Sequence, residues 1–147
     1  MKTRVLMFMI VVLLGVSGCV QNGYQGVKPE GYPAVKQAFD VTFGWKKTIG
    51  DHGMTLEGYA RNNRYFIVQG LELRVSLVAV TGAEKSAETF YFTPQELREG
   101  EMAPFSVSLK VRPEVGDRLR FSSRYQAVED SENSQIWVNS FEVTALD

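Results

Sequence analysis

Apolar and polar residues alternate along the chain from Phe39 onwards, and the alternation has a period of two. Between Leu71 and Ala79, leucine, valine and alanine occupy every second position, with the polar residues Glu72, Arg74 and Ser76 between them. This period places one set of side chains on each face of a strand, so it predicts strands with one buried face. Six strands are predicted in this way, and a seventh, Ala87–Thr93, is predicted from its aromatic residues. The seven are Phe39–Phe43, Leu56–Arg61, Leu71–Ala79, Ala87–Thr93, Phe105–Val111, Leu119–Ala127 and Trp137–Ala145.

Turn-forming residues separate these predicted strands. Gly50-Asp51-His52-Gly53 joins the first two, and Asn62-Asn63-Arg64 follows the second, because Asn tolerates left-handed backbone geometry. Thr93-Pro94-Gln95-Glu96 has the form of a helix capping box, with Pro at the first helical position and Gly100 beyond it. One short helical turn is therefore expected among the strands.

Seven short strands with turns between them predict an all-β fold, a seven-stranded antiparallel immunoglobulin-like β-sandwich. The chain has one cysteine, so no internal disulfide can form and the core must be held by apolar packing. Trp137 and Phe121 are the predicted anchors of that core, each contributing about 1.5–3 kcal/mol if its side chain is fully buried.

The first eighteen residues have the organisation of a secretory signal peptide. Lys2 and Arg4 precede the uncharged apolar run Val5–Leu14. That run has the length of a signal-peptide core and is short of the roughly 20 apolar residues that a membrane span needs. Small residues suited to a signal peptidase then follow: Gly15, Ser17 and Gly18.

Val16-Ser17-Gly18-Cys19 resembles the bacterial lipobox, in which an aliphatic and two small residues precede an obligatory cysteine. The resemblance implies recognition of Val16, Ser17 and Gly18 by the signal peptidase, attachment of diacylglycerol to Cys19, cleavage before it and acylation of the new amine. Two or three acyl chains anchor a protein stably. Val20, where the family's inner-membrane retention signal would be Asp, favours the outer membrane. The alternatives are an ordinary secretory peptide and an uncleaved anchor.

A tether is predicted between the lipid and the domain. Three glycines and two prolines in the fourteen residues from Val20 to Pro33 oppose both helix and interior strand. Tyr24 and Tyr32 would either rest on lipid headgroups or fold back onto the domain, and folding back is favoured. One helical turn is expected within Ala34–Phe39. The predicted organisation is a signal peptide over 1–18, a lipidated cysteine and flexible tether over 19–38, and the β-domain over 39–147.

The β-domain resembles FxLYD-type domains and is similar in spacing to water-stress (WHy) domains, which are small immunoglobulin-like modules. The family's Tyr-Asp after the central strand is replaced here by Ala79-Val80-Thr81. The resemblance spans Thr42 to Leu146 and implies a scaffold or binding module without catalytic residues. It is carried by Gly58-Tyr59-Ala60-Arg61-Asn62, the strand Leu71–Val80, Leu97, Gly100-Glu101 and Phe105.

Composition and charge narrow the range of functions. Apolar residues make up 44% and charged residues 22% of the chain, which is typical of a globular protein. Removing Lys2 and Arg4 with the signal peptide takes 16 basic residues to 14 against 17 acidic ones, a net charge of −3. A nucleic-acid partner, which requires a basic surface, is therefore not expected.

Residues with catalytic or ligand-binding potential are few. His52, the only histidine, lies beside Asp51 in a glycine-flanked turn, where a solvated role is favoured over a catalytic one. We expect no catalytic residue, no metal site and no cofactor. Trp45, Tyr59 and Tyr91 form a candidate ligand face, because aromatic side chains exposed in a row can stack on sugars or dock a partner.

These observations predict a non-catalytic lipoprotein of the bacterial cell envelope, anchored by lipid on Cys19 and binding an envelope protein as an interaction or scaffold module. Pairing at a sheet edge would be its natural binding mode. The alternative is a small-ligand or glycan binder that uses the aromatic face, and a hydrolytic enzyme ranks below both. The periplasmic face of the outer membrane is favoured over the inner membrane.

Overall fold

The computed structural model describes residues 26–129 and 133–146. A 3-10 turn at Pro29–Gly31 precedes a succession of antiparallel strands. The strands are β1 (Ala34–Gln37), β2 (Val41–Ile49), β3 (Met54–Asn62), β4 (Ile67–Val78), β5 (Glu84–Tyr91), β6 (Glu96–Leu97), β7 (Met102–Leu109), β8 (Arg118–Val128) and β9 (Ser134–Thr144).

The strands form two antiparallel sheets that pack face to face. The first sheet has the order β1-β2-β3-β7, and the second has the order β5-β4-β8-β9 with β6 paired to β4. The predicted all-β antiparallel sandwich is therefore confirmed. The seven predicted strands correspond to β2, β3, β4, β5, β7, β8 and β9.

The core lies between the sheets and is rich in aromatic rings. Phe121 of β8 is buried, as predicted, and stacks on Phe141 of β9 with ring centroids 4.9 Å apart. Trp45 of β2 closes the cluster from the opposite sheet, 4.7 Å from the Phe121 ring. Such contacts add to the stabilisation that burial alone provides.

Trp137 is not the core anchor that the sequence predicted, because its side chain remains 43% exposed. It lies on β9, the outermost strand of its sheet, directly opposite the buried Tyr125 of β8. An outermost strand has a neighbour on one side only, so a side chain on it is left partly open to solvent.

The predicted helical turn at Thr93-Pro94-Gln95-Glu96 is wrong. Residues Glu96 and Leu97 form β6 and pair with Val68 and Gln69 of β4. Leu97 is buried in the core. The pairing with β4 and the burial of Leu97 outweigh the local capping preference, as tertiary contacts commonly do.

The helical turn expected within Ala34–Phe39 is also wrong, because Ala34–Gln37 forms β1 and pairs with β2. The sheet thus begins at Ala34, before the predicted domain boundary at residue 39. Tyr32 folds back onto the domain, as favoured, and packs edge-on against Tyr59 with ring centroids 5.4 Å apart. Within the described residues, no helix is long and apolar enough to cross a bilayer.

Candidate functional site

The predicted lipidation site lies outside the described residues. Cys19 and the peptidase-recognition residues Val16, Ser17 and Gly18 all precede residue 26, where the description begins. The lipid anchor therefore stays a prediction from the sequence.

The candidate ligand face is not an exposed aromatic row. Trp45 is only 3% exposed, because it faces the opposite sheet and packs on Phe121. Tyr59 points away from the core yet is only 5% exposed, because Tyr32 covers it. Tyr91 is exposed on β5, in the other sheet. The structure does not bring the three residues together on one surface.

His52 lies exposed in the turn between β2 and β3. Among the residues that the structure describes, no group of three or more His, Cys, Asp or Glu side chains is placed to hold a metal ion.

The four outermost strands differ in how far they are protected against pairing with another chain. An outermost strand exposes unpaired backbone groups, and proteins protect such edges with short strands, prolines and charged residues. On one side of the sandwich, β5 carries Glu84, Lys85 and Glu88, and β7 contains Pro104. On the other side, β1 is only four residues long and follows Pro33.

Side chains of β5 also accept hydrogen bonds from the backbone of β7 and of Lys110, the residue that follows β7. The backbone N–H of Ser108 donates to the Glu88 carboxylate over 2.8 Å, and the N–H of Lys110 donates to the Ser86 hydroxyl over 3.2 Å. These bonds occupy two backbone N–H groups that an additional strand on this side of the sandwich would use.

β9 is the exception, because it is long and nearly uncharged. It spans Ser134–Thr144, and its only charged residue is Glu142. Arg118 and Arg120 of β8 hold that carboxylate at 2.9 and 2.8 Å. The hydrogen bond from Arg120, with that from Arg118, lowers the pKa of Glu142 below its usual value. The charge of Glu142 is thus paired with arginines of the same sheet. Among the described strands, β9 pairs with β8 alone.

The first half of β9 carries consecutive exposed apolar side chains. Ile136 is 62% and Val138 is 71% exposed, and the partly exposed Trp137 lies between them on the inner face. A cavity of about 450 Å³ adjoins Trp137 and is also lined by Phe66, Ala127 and Gln135. We name Ser134–Ser140 the open edge of β9.

A buried polar cluster lies next to the open edge, on the side of β8. Tyr125, the direct neighbour of Trp137 on β8, donates its hydroxyl hydrogen to the carboxylate of buried Asp40. Arg64 donates from Nε to Asp40 Oδ1 over 2.9 Å, and its guanidinium carbon lies 3.8 Å from the centre of the Phe39 ring. Burial, with the bond to Asp40, raises the pKa of Tyr125 far above its usual value, so the hydroxyl remains a donor.

Sequence reasoning missed both the open edge and the cluster behind it. The run Ile136-Trp137-Val138 breaks the alternation with three successive apolar residues, and that break was the available signal for an exposed apolar strand. Asp40 offered no comparable signal, because its partners Arg64 and Tyr125 are distant in sequence.

Comparisons with known proteins bear on the fold alone. Neither a family model nor a curated protein matches the sequence. The GAE domain of GGA2p from Saccharomyces cerevisiae is similar in structure with a TM-score of 0.50 at 6% identity, over 78% of this chain and 100% of that one. The yeast GGA1 GAE domain has a TM-score of 0.46 at 11% identity, over 74% and 96% of the two chains. A beta-glucuronidase from glycoside hydrolase family 2 has a TM-score of 0.42 at 11% sequence identity, and the match covers 69% of this chain and 11% of that one.

Proposed function

We propose that this chain is a non-catalytic lipoprotein of the bacterial cell envelope that acts as a protein-interaction module. Lipid on Cys19 holds it to a membrane, with the periplasmic face of the outer membrane favoured over the inner membrane. The proposal of an anchor is supported by the charged start, apolar run and lipobox-like Val16–Cys19 at the beginning of the chain.

The open edge of β9 is the observation that carries the interaction role. Long, weakly charged outermost strands readily pair with another chain, and natural proteins protect them unless the pairing is used. Here β1 is short, β5 is charged and β7 contains a proline, whereas β9 presents Ile136 and Val138 to solvent. Because Trp45 and Tyr59 are buried, no observation favours the alternative of a glycan-binding aromatic face.

Reactivity of a cysteine placed on the open edge tests whether a protein covers it in the envelope. We expect Val138→Cys to react with a membrane-permeant maleimide about 10-fold more slowly in intact envelopes than Tyr91→Cys, since a bound chain shields β9 from reagent. Both positions are exposed side chains at opposite edges of one sheet, so they form a matched pair. The unsubstituted chain corrects for any reaction at Cys19.

The same two variants, extracted in detergent and diluted, should react at similar rates. Equal reactivity of Val138→Cys and Tyr91→Cys in intact envelopes would mean that β9 is open in its native setting. That result would contradict the proposed interaction role.

A further inference from the structure

We propose that β9 pairs antiparallel with β9 of a second copy of this chain, about a twofold axis that passes through Trp137. The inference deepens the proposed function by naming the partner of the open edge, and it rests on that proposal's claim that β9 is an interaction edge. It requires neither the lipid nor any other envelope protein.

The residues of the open edge complement themselves in this arrangement. A twofold axis at Trp137 places that side chain opposite its own copy and Ile136 opposite Val138 of the second copy. Facing residues of an antiparallel pair share one face and contact each other, so the apolar residues meet one another. Toward the ends of the paired stretch, Gln135 faces Asn139 and Ser134 faces Ser140, which match amide with amide and hydroxyl with hydroxyl.

Other twofold registers match the edge less well. An axis at Asn139 would pair more residues, but it would place Ile136 opposite Glu142, whose carboxylate is held by arginines of β8. An axis at Val138 would set Trp137 against Asn139 and Ile136 against Ser140. Only the axis at Trp137, of these three, pairs every apolar residue of the open edge with another apolar residue.

The charges beside the open edge are compatible with this pairing. Arg124 of β8 lies next to Val138, and Gln126 lies next to Ile136. On the outer face of the joined sheet, Arg124 and Val138 of one copy therefore lie in line with Ile136 and Gln126 of the second copy. No two like charges face each other across the new pair, and none of the seven paired residues is charged.

The remaining edges explain why the pairing stops at two copies. On the opposite side, the Glu88 carboxylate and the Ser86 hydroxyl accept hydrogen bonds from the backbone N–H groups of Ser108 and Lys110, two groups that a further strand on β7 would use. A β9–β9 contact uses the same surface on both copies, so it closes on itself and forms a dimer rather than a filament.

Photocrosslinking from β9 in the full chain tests the inference in the host cell. With p-benzoyl-phenylalanine in place of Trp137, ultraviolet light should join two copies of this chain into a product of twice its mass. The same residue in place of Tyr91, an exposed aromatic at the opposite edge of the sheet, should give less than about a tenth of that product.

A second variant separates pairing from folding. Adding Val138→Lys to the Trp137 crosslinker should reduce the doubled product about 10-fold, because a charge on an edge opposes pairing. Val138 is largely exposed, so the thermal unfolding midpoint should stay within a few degrees of the parent's.

The outcomes distinguish this inference from the proposed function. A crosslink from position 137 to a different protein would overturn the dimer while supporting an interaction role for β9. A folded chain that gives no crosslink at position 137 would also overturn the dimer, and unshielded Val138→Cys would contradict the interaction role itself.

Discussion

Replacing Gly58 with alanine is expected to destabilise the domain by about 3 kcal/mol or more. A Cβ at this position would lie 2.2 Å from the carbonyl oxygen of Gly44 and 2.6 Å from the Phe105 ring. Neither obstacle can move aside easily, because one is backbone within the sheet and the other is a buried core side chain. Overpacking of a core typically costs about 1–3 kcal/mol, and contact with backbone places Gly58 at or above the upper end.

Urea unfolding of three variants measures this effect. Gly44→Ala should cost less than Gly58→Ala, because its Cβ would meet only outer atoms of the Tyr59 side chain, whereas the Cβ at Gly58 would also meet backbone. Gly31→Ala is the matched control, since no atom lies within 4 Å of its added Cβ, and we expect a change within about 0.5 kcal/mol. If Gly58→Ala unfolded at the same urea concentration as Gly31→Ala, β2, β3 and β7 would not approach each other closely at Gly58.

Asp40→Ala is expected to lower the free energy of unfolding by about 3 kcal/mol. It removes the acceptor of the buried Tyr125 hydroxyl and the ion-pair partner of Arg64. Breaking a buried pair from one side typically costs about 3–5 kcal/mol. We expect a loss at the low end of this range, because the Arg64 side chain is one-third exposed and can recover contact with water.

A double-mutant cycle with Tyr125→Phe shows whether the two residues act together. Tyr125→Phe should cost about 1–2 kcal/mol, since it leaves one carboxylate oxygen without its buried donor. The double variant should be at least 0.5 kcal/mol more stable than the sum of the two single losses implies, as expected for groups in direct contact. Strict additivity would mean that the hydroxyl and the carboxylate do not interact.

The alternation of apolar and polar residues predicted most of the strands, because the period of two is a direct consequence of strand geometry. It predicted β4 and β8 best, because β8 is buried on alternate residues along its whole length and β4 on alternate residues from Leu71 to Val75. It failed at Ala34–Gln37, where four residues are too few to establish a period, and at Thr93–Glu96, where capping residues sit in a segment that pairs with β4.

Periodicity also leaves open which face is covered and which strand lies at an edge. Trp45 and Tyr59 occupy opposite faces of the first sheet, and both are buried because different partners cover them. Trp137 lies on the inner face, as its alternation with Val138 indicated, but β9 is outermost and leaves it partly exposed. The order of strands across a sheet is set by contacts distant in sequence, so the open edge appears only in three dimensions.

Intact mass and membrane fractionation of the wild-type chain and Cys19→Ser test the central claim most directly. For the wild type, we predict a membrane-bound chain that begins at Cys19 and carries the added mass of diacylglycerol and an amide-linked acyl group. Cys19→Ser should lose that added mass and leave the membrane fraction, because two or three acyl chains supply the anchoring free energy. A wild-type chain without added lipid mass, or a variant that remains membrane-bound, would contradict a lipid anchor at Cys19.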